Sequence, residues 1–578
     1  MLSGRLFKLL FIHPTQHQDQ YLQCSCLPFE LDAAPPYEAL SYAWGPPEPA
    51  VELQCNGLGF TVRPELANAL AHMRLQNCTR IVWTDAICIN QDDVEERNHQ
   101  VPLMGSIFTS AKRVLVWLGL ADPISDHIQE TFDVLELISS TCRESLDDPG
   151  HETRDRWERV QIAASVFTPT VRSGLSKLFK RPWFSRIWCL QEIRLATNAL
   201  VLCGEHEIDW QDFGTTVSWF FDQLIQYGVG KSYNDAVGEW ICSSIDTTAA
   251  EETCDPVLRN FLDTLQFSRK FDSTDPKDKV YAILNLVSPR PELDGFEVRY
   301  DKSVGEVFAN TAVFIMNKTW RLDCLAHVEH LPDYDGDLEH RSWAPRWDHQ
   351  DDIFHIGDRG LKNCPWSVCP SLIATLTDDN DLGANVLVLR GICYDRVQQM
   401  TEILDLHTTN AEFTGGKNME DTEGSQHVQA RNRILARTVV SGMLDFEFVE
   451  NLEESVQEEF YISFMHLLRE LSSVHPYFSD SGCPYTADTK SVLYKARLQC
   501  SQRRVFWTNN GSLGLGPQCM RVGDIVVALY GGNTPYVLRP RGEKYLFLGE
   551  AYVDNIMHGE LMQALAEGQV HEQTFHLI

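Results

Sequence analysis

The chain has 578 residues, too many for one compact core, and this length predicts roughly two to four domains. Its 49 basic and 81 acidic side chains give a net charge of −32, which excludes nucleic acids and anionic membrane surfaces as main partners. The 43% hydrophobic content is that of a folded globular protein, and the 17 cysteines, without a CxxC pair, predict reduced thiols in a cytoplasmic protein that has no metal site.

The first apolar run, GRLFKLLFIHP at residues 4–14, predicts a β-strand. Lys8 interrupts it, and it is shorter than the roughly 20 residues that a membrane span needs. Since no other stretch is more suitable, we expect no membrane anchor.

Residues 37–213 alternate strand-like and helix-like patterns. Helical spacing of apolar residues marks the segments 64–76 and 98–111, which lie between the runs that we interpret as strands. Such alternation predicts an α/β fold with a parallel sheet flanked by helices. The strand-like runs are YEALSYAW (37–44), RIVWTDAIC (80–88), RVLVWLG (113–119) and ALVLCG (199–204).

The remainder of the chain predicts further regions. DPKDKVYAILNLV (275–287) and SVGEVFANTAVFIMN (303–317) have helical patterns, and the Gly- and Pro-separated runs of 523–559 are typical of β-structure. We therefore expect an α/β domain at 1–215 with an acidic, helical insertion at 120–180, a mostly helical region at 216–345, a mixed accessory region at 346–520 with a polar loop at 402–435, and a small β-rich module at 521–578.

Polar and aromatic residues follow the first two strands of the predicted parallel sheet. Ligands bind beyond the carboxyl ends of such strands, and aromatic rings there can stack on a flat group. The alternative is that Trp44 lies in the core and that Asp85 only caps a turn. The candidate binding residues are Tyr42, Trp44, Gly45, Asp85, Asn90 and Gln91.

One acid, Glu192, lies on the apolar face of its own predicted helix in WFSRIWCLQEIRLAT (183–197). At ~100° per residue its neighbours on the helix surface are apolar or nearly so. Either a salt bridge to Arg181 or Arg186 compensates for this burial, or the carboxyl projects into a cleft where burial adjusts its pKa for chemistry. The neighbours of Glu192 are Trp188, Cys189, Leu195 and Ala196.

Several common site motifs are incomplete or missing. GVGKS (228–232) resembles the end of a phosphate-binding loop, but Ile225 occupies the position where that loop needs glycine. QDDVEER (91–97) lacks the glycine and the alternating ligands of a calcium loop. The chain also contains neither HExxH nor GxSxG, so these hydrolase motifs do not apply.

Long motifs in the first third of the chain resemble the fungal heterokaryon incompatibility (HET) domain. They are YEALSYAWG, WTDAICINQDDVEERNHQVPLMGSIFTSAKRVLVWLG and RPWFSRIWCLQEI, and the resemblance covers roughly residues 37–204. DPKDKVYAILNL and the segment from GGNTPYVLRP to NIMHGE resemble downstream regions of larger HET proteins. The resemblance implies a part in fungal self/non-self recognition, in which incompatible pairings trigger cell death.

HET domains are in turn similar to TIR domains, and WCLQEI resembles the plant TIR motif that carries the catalytic glutamate of NAD-cleaving members. On this resemblance Glu192 is the catalytic residue, the loop from Ile89 to Arg97 gates the pocket, and Trp188 joins the residues that stack on the substrate. NAD is then a substrate, and no cofactor is implied. The insertion at 120–180 departs from the TIR pattern.

Two functions follow from these resemblances. The first is a HET-domain protein that triggers or executes cell death, with NAD cleavage as its chemistry. The second is a non-catalytic protein that self-associates, or binds an incompatibility partner whose identity is unknown, through its HET domain.

Overall fold

The computed structural model divides the chain into two compact units, unit 1 (Met1–Lys302) and unit 2 (Ser303–Ile578). Among the residues described, no helix combines the length and apolar character needed to cross a membrane. The structure describes residues 4–15, 22–122, 127–146, 168–217, 261–287, 293–337, 339–349, 355–356, 386–403, 426–441, 443–444, 447–472, 496 and 499–578.

A nine-stranded sheet forms the centre of unit 1, and its order is β5-β4-β2-β1-β6-β3-β7-β8-β9. The predicted strands near 6–12, 38–42, 113–117 and 199–203 are confirmed. The strands are β1 (Leu6–Ile12), β2 (Gln23–Glu30), β3 (Glu38–Tyr42), β4 (Val51–Cys55), β5 (Leu58–Val62), β6 (Arg80–Trp83), β7 (Arg113–Trp117), β8 (Ala199–Cys203) and β9 (His206–Asp209).

The sheet is mixed, so the expectation of a purely parallel sheet is wrong. Four neighbouring strands, β6-β3-β7-β8, are parallel, and β2 is parallel to β4. Strand β1 pairs antiparallel with both β2 and β6, and β9 pairs antiparallel with β8. Strands β3 and β7 are almost entirely buried, as parallel strands covered on both faces must be. When the four neighbouring parallel strands are numbered by their order in the chain, they lie across the sheet in the order 2-1-3-4. This is the start of a doubly wound arrangement.

Helices cover this sheet where the apolar spacing predicts them. In the helix of 64–73 the apolar positions Leu66, Leu70 and Met73 are buried, and Ile107 and Phe108 are buried in the helix of 104–110. The helices of unit 1 are α1 (Pro64–Met73), α2 (Asp85–Cys88), α3 (Val94–Gln100), α4 (Met104–Ser110), α5 (Ile128–Leu146), α6 (Pro169–Phe179), α7 (Trp188–Arg194), α8 (Phe261–Ser268) and α9 (Asp278–Tyr281), with 3-10 turns at Leu31–Ala33, Val101–Leu103 and Pro182–Ser185.

Two local predictions in unit 1 are wrong. The strand predicted over 80–88 ends at Trp83, because the Thr84 carbonyl accepts the amides of Ile87 and Cys88 and so begins helix α2. The helix predicted over 275–287 is reduced to α9, followed by turns. Of the predicted insertion at 120–180, helices α5 and α6 are described, and residues 123–126 and 147–167 lie outside the described part, as does GVGKS at 228–232.

Unit 2 begins with helix α10 (Val304–Thr319), which confirms the amphipathic segment 303–317. Ser303 and Glu306 form a capping box at its start, in which each side chain accepts a hydrogen bond from the other residue's amide. The other helices are α11 (Gln426–Val439), α12 (Glu454–Ser472) and α13 (Glu560–Ala566), with 3-10 turns at Asp323–His327 and Val449–Asn451. Residues 426–435 of the expected polar loop therefore belong to α11, and residues 404–425 lie outside the described part.

The sheet of unit 2 contains the strands of the β-rich module predicted at 521–578. It also contains a strand from earlier in the chain, Leu387–Met400. Strands β15, β16, β17, β19 and β10 pair in a closed ring, because β10 bonds to both β19 and β15. Strands β13, β14 and β18 continue from β10. The strands of this sheet are β10 (Leu387–Met400), β13 (Arg503–Thr508), β14 (Leu513–Pro517), β15 (Ile525–Leu529), β16 (Tyr536–Arg541), β17 (Lys544–Glu550), β18 (Tyr552–Val553) and β19 (Glu572–Leu577), while β11 (Met443–Leu444) and β12 (Glu447–Phe448) form a separate two-stranded sheet.

Candidate functional site

A cleft of about 730 Å³ lies in unit 1, where the chain leaves the carboxyl ends of β3 and β6. This volume is in the range of small-molecule sites, and the position is the one where ligands bind to doubly wound sheets. The lining residues are Ala43, Trp44, Gly45, Arg63, Asp85, Ile89, Gln91, Arg97, Val101, Met104, Pro182, Ser185, Arg186, Trp188, Asp272, Ser273, Thr274, Asp275, Pro276, Asp278 and Tyr300.

Trp44 is fixed on one side of the cleft by a carboxylate and two guanidinium groups. Its indole N–H donates to Asp85 Oδ2 at 2.9 Å. The guanidinium groups of Arg63 and Arg186 lie 5.0 and 5.7 Å from its ring centroid. Arg63 also donates to the Gly45 carbonyl at 2.7 Å, and Gly45 has a φ of 65°, which glycine adopts without strain.

Asp85 both caps a turn and lines the cleft, so the two alternatives raised for it hold together. Its Oδ1 accepts the Ala86 amide at 2.8 Å, while Oδ2 accepts from Trp44 and lies 3.5 Å from Arg186 Nη2. The Asp85 carbonyl accepts the Gln91 side-chain amide at 2.9 Å, which holds the loop after α2 against the cleft. The carboxylate is therefore largely compensated by fixed donors.

A second carboxylate and two aromatic rings line the opposite side of the cleft. Asp278 accepts hydrogen bonds from the Tyr300 hydroxyl at 2.6 Å and from the Trp188 indole N–H at 3.0 Å. Arg97 lies over the Tyr300 ring, 3.9 Å from its centroid, and reaches Asp275 at 3.4 Å. Burial raises the pKa of Asp278 to about 6, although the two donors oppose this shift.

Glu192 lies behind the lining residues and is only 3% exposed. Ser41 Oγ donates to Glu192 Oε2 at 2.5 Å, and Ser41 in turn accepts from the Trp183 indole N–H at 2.8 Å. Burial raises the Glu192 pKa to about 7, against the lowering effect of the Arg186 charge. A carboxyl with this pKa exchanges its proton near neutral pH, as a general acid or base requires.

Glu192 neither forms the predicted salt bridge with Arg181 or Arg186 nor projects into the cleft. Arg181 donates to the carbonyls of Leu118 and Leu120. Arg186 donates to the Tyr42 carbonyl and acts on Glu192 electrostatically, yet within the described residues no ion pair within 4.0 Å joins Arg186 to Glu192. The carboxyl is therefore next to the cleft wall, neither locked by an arginine nor open to the cleft.

The structure brings most of the predicted site residues together. Trp44, Gly45, Asp85, Gln91 and Trp188 all line the one cleft.

The remaining predicted site residues lie elsewhere. Tyr42 is 2% exposed, lies in the core with Glu192 and does not line the cleft, although its carbonyl accepts a hydrogen bond from the cleft residue Arg186. Asn90 is exposed, and its side chain accepts the Asp92 amide outside the cleft. Their roles as binding residues stay predictions.

Sequence reasoning missed Arg63, Arg97 and the segment 272–278 with Tyr300. The two acids of DPKDK gave no usable signal, because acids at a helix start are ordinary and the helix dipole stabilises them. Nothing local connects that segment to the loop after β3, because their proximity depends on tertiary packing.

Comparison with known proteins confirms the resemblance to HET proteins. The sequence model of the family described as heterokaryon incompatibility protein (HET) matches residues 37–192, and that of the Het-6 beta-barrel domain matches residues 485–578. Heterokaryon incompatibility protein 6, OR allele, of Neurospora crassa is 24% identical over 662 aligned positions, which cover 96% of this chain and 94% of that protein. No solved structure matches the chain.

Proposed function

We propose that this chain, which carries a HET domain and a Het-6 β-barrel domain, acts in fungal heterokaryon incompatibility and triggers cell death by cleaving NAD in the cleft of unit 1. The similarity to heterokaryon incompatibility protein 6 supports the biological role. The single observation that supports the chemistry is the assembly of Trp44, Asp85 and Trp188 around one cleft that has the Glu192 carboxyl directly behind its wall.

The cleft offers suitable partners for each part of a dinucleotide. Trp44 and Trp188 present rings on which bases can stack. Arg63, Arg97 and Arg186 line the same cleft, and guanidinium groups recognise phosphate oxygens by paired hydrogen bonds. The cleft is also lined by Asp85, Asp272, Asp275 and Asp278, so the arginines offer sites for phosphate oxygens without giving the cleft a net positive charge.

The reaction breaks the bond between the nicotinamide nitrogen and ribose C1′. The electron pair leaves with nicotinamide, positive charge develops on the ribose, and a nearby carboxylate stabilises it. Water then adds to C1′, its proton passes to Glu192, and the products are ADP-ribose, nicotinamide and one proton. Glu192 is suited to take that proton, because its pKa is raised to about 7.

Arg186 connects substrate binding to the exposure of Glu192 in this proposal. Its guanidinium contacts Asp85 at 3.5 Å, the Tyr42 carbonyl and the face of Trp44. A diphosphate in the cleft offers stronger charge-assisted hydrogen bonds, so it draws Arg186 towards the ligand. Movement of Arg186 gives the carboxyl access to the ribose, and the positive charge that develops on the ribose then takes over from the guanidinium in favouring the Glu192 carboxylate.

The test is nicotinamide release from NAD by the full-length chain. Glu192→Gln should lower the rate at least ~100-fold, the usual cost of losing a positioned proton-transfer group. Glu205→Gln is the matched control, since Glu205 is 93% exposed and lies outside the cleft lining. Equal release by wild type and Glu192→Gln excludes Glu192 from the mechanism, and no release by wild type at any concentration contradicts the proposed chemistry.

A second candidate function, non-catalytic self-association through the HET domain, is favoured by the edge of the unit 1 sheet. Strand β5 is the terminal strand of the sheet order, and its Leu58 and Phe60 side chains are 72% and 39% exposed. An edge strand with exposed apolar side chains can pair with another chain.

Analytical ultracentrifugation at several protein concentrations tests this second function. Leu58→Lys should shift the chain towards the monomer, because a charged residue on an edge strand opposes pairing. Leu120→Lys is the control, since Leu120 is 57% exposed and lies outside the edge strand. A wild-type chain that stays monomeric at all concentrations contradicts self-association.

A further inference from the structure

Asp278 is a carboxyl of the cleft that the mechanism above does not use. It is the first residue of α9, and it lines the cleft, whereas Glu192 does not. The Tyr300 hydroxyl donates to its Oδ1 at 2.6 Å and the Trp188 indole N–H donates to its Oδ2 at 3.0 Å. Each carboxylate oxygen is therefore held by one neutral donor, and the orientation of the group is fixed.

The charge compensation of Asp278 differs from that of the other cleft carboxylates. Asp85 lies 3.5 Å from Arg186, and Asp275 lies 3.4 Å from Arg97 and 3.8 Å from Lys277. Across the part of the chain that the structure describes, no cationic side chain lies within 4.0 Å of Asp278. A half-buried carboxylate with no cation beside it can accept further hydrogen bonds, and the cleft is where a ligand supplies the donors.

The free lone pairs of Asp278 specify the kind of donor. An ionised carboxylate has about four acceptor sites, and the two protein donors leave roughly one on each oxygen. Two hydroxyl groups on adjacent carbons can fill one site on each oxygen at once. A ribose ring presents such a pair at its 2- and 3-positions, and the Trp188 ring lines the cleft beside Asp278.

We infer that Asp278 is a ligand-binding residue that accepts hydrogen bonds from the adjacent ribose hydroxyls of the nucleotide, on the ribose that carries nicotinamide. This inference rests on the proposed function for the identity of the nucleotide. It assigns sugar recognition to Asp278 and leaves proton transfer to Glu192. The cleft then holds its ligand by rings, guanidinium groups and one sugar-binding carboxylate.

The test measures, by calorimetric titration, the affinities of two full-length proteins, wild type and Asp278→Asn, for two ligands. The ligands are ADP-ribose and an analogue whose terminal ribose lacks the 2-hydroxyl. Wild type should bind the analogue ~10-fold more weakly, since a hydrogen bond to a charged group contributes about that factor. Asp278→Asn should bind ADP-ribose ~10-fold more weakly than wild type and should no longer distinguish the two ligands. Asp301→Asn, an exposed carboxylate paired with Arg299, is the control and should behave as wild type.

Tyr300→Phe provides a second test, which measures the pH dependence of ADP-ribose binding. A purely structural role of Asp278 would not make that pH dependence sensitive to the Tyr300 hydroxyl. Removal of the Tyr300 hydroxyl takes away a donor that lowers the Asp278 pKa, which is about 6 in the free protein. ADP-ribose binding weakens as the pH falls through that value, and Tyr300→Phe should shift the midpoint to higher pH. The other charged groups that act on Asp278 are Asp275, which raises its pKa, and Arg97, which lowers it.

The possible outcomes separate this inference from the proposed function. If Asp278→Asn weakens ADP-ribose and the analogue equally, or changes neither, Asp278 does not bind the hydroxyls. Failure of wild type to bind ADP-ribose at millimolar concentration also overturns the inference. If the four affinities differ as expected but wild type releases no nicotinamide from NAD, the sugar-binding role of Asp278 is supported and only the proposed chemistry is contradicted. Thermal unfolding of each variant confirms that it is folded.

Discussion

The carboxyl group of Glu192 lies in an apolar layer where its charge state depends on a small set of neighbours. Burial favours the protonated form, Asp85 acts in the same direction, and Arg186 and the Ser41 hydroxyl favour the carboxylate. The balance sets the pKa at about 7, compared with 4.5 for an unperturbed glutamate. The folded protein therefore keeps a proton on Glu192 at pH values where the unfolded chain has released it.

This difference predicts a pH-dependent contribution to stability. Protonated Glu192 causes no charge penalty below pH 4.5, and the penalty grows as the pH rises through the folded pKa of about 7. Relative to Glu192→Gln, the free energy of unfolding of wild type should fall between these values by up to ~3 kcal/mol, which is the equivalent of the shift. Urea unfolding of both proteins across pH 4–8 measures it. A constant difference over that range contradicts the raised pKa.

At the residue scale, the sequence predicts the burial of Glu192 correctly, and it offers Arg181 or Arg186 as a partner but not Ser41. Helical spacing placed Glu192 among apolar residues, and Trp188 and Cys189 are indeed buried beside it. Its closest partner, Ser41, is 151 residues away in the chain. No periodic pattern encodes such a contact, because it depends on how α7 packs against β3.

The strands and helices of both units follow the apolar patterns where those patterns are strong. Strands β7 and β8 were predictable because they are largely buried and their sequences are nearly continuous apolar runs, and β3 was predictable although Glu38 and Ser41 interrupt its apolar residues. Strand β2 was not, because its burial is irregular and its sequence, QCSCLPFE, has no clear alternation. The antiparallel pairing of β1 with β2, and hence the mixed character of the sheet, was missed for that reason.

The closed ring of strands in unit 2 depends on a close approach between two backbones. A Cβ at Gly391 of β10 would lie 2.2 Å from the Ala528 carbonyl oxygen of β15. Gly391→Ala should therefore force the strands apart and cost ~2–3 kcal/mol, as overpacking in a core does. Gly59→Ala is the control, because its Cβ would meet only the end of the Glu52 side chain, which can move. Equal melting temperatures for both variants contradict the close contact.

At the scale of the whole molecule, the cleft combines distant parts of unit 1. Its lining extends from Ala43 to Tyr300, and residues 272–278 supply one side of it. The predicted α/β domain at 1–215 contains the loops after β3 and β6 together with α7, but it lacks that side. Sequence patterns identify the sheet and its edge, whereas the chain segment that completes the cleft is fixed only by tertiary packing.

Two fragments of the chain test whether the cleft needs residues beyond the predicted α/β domain. Residues 1–302 should unfold cooperatively and bind ADP-ribose as the full chain does, because the fragment is a compact unit that contains every residue lining the cleft. Residues 1–215 should bind at least ~10-fold more weakly, since Asp278 and its hydrogen bonds are missing. Calorimetric titration of both fragments decides the matter. Equal affinity of the two fragments contradicts the contribution of residues 272–300.

Titration of NAD into the full-length Glu192→Gln variant, which should bind without turnover, tests the cleft most directly. We expect one site per chain, and the additional change Trp44→Ala should weaken binding by ~10–100-fold, the usual contribution of ring stacking. Trp320→Ala is the matched control, because Trp320 is 61% exposed and lies in unit 2, and it should leave the affinity unchanged. Absence of binding, or equal affinity of the Trp44→Ala and Trp320→Ala proteins, contradicts the assignment of the cleft as an NAD site.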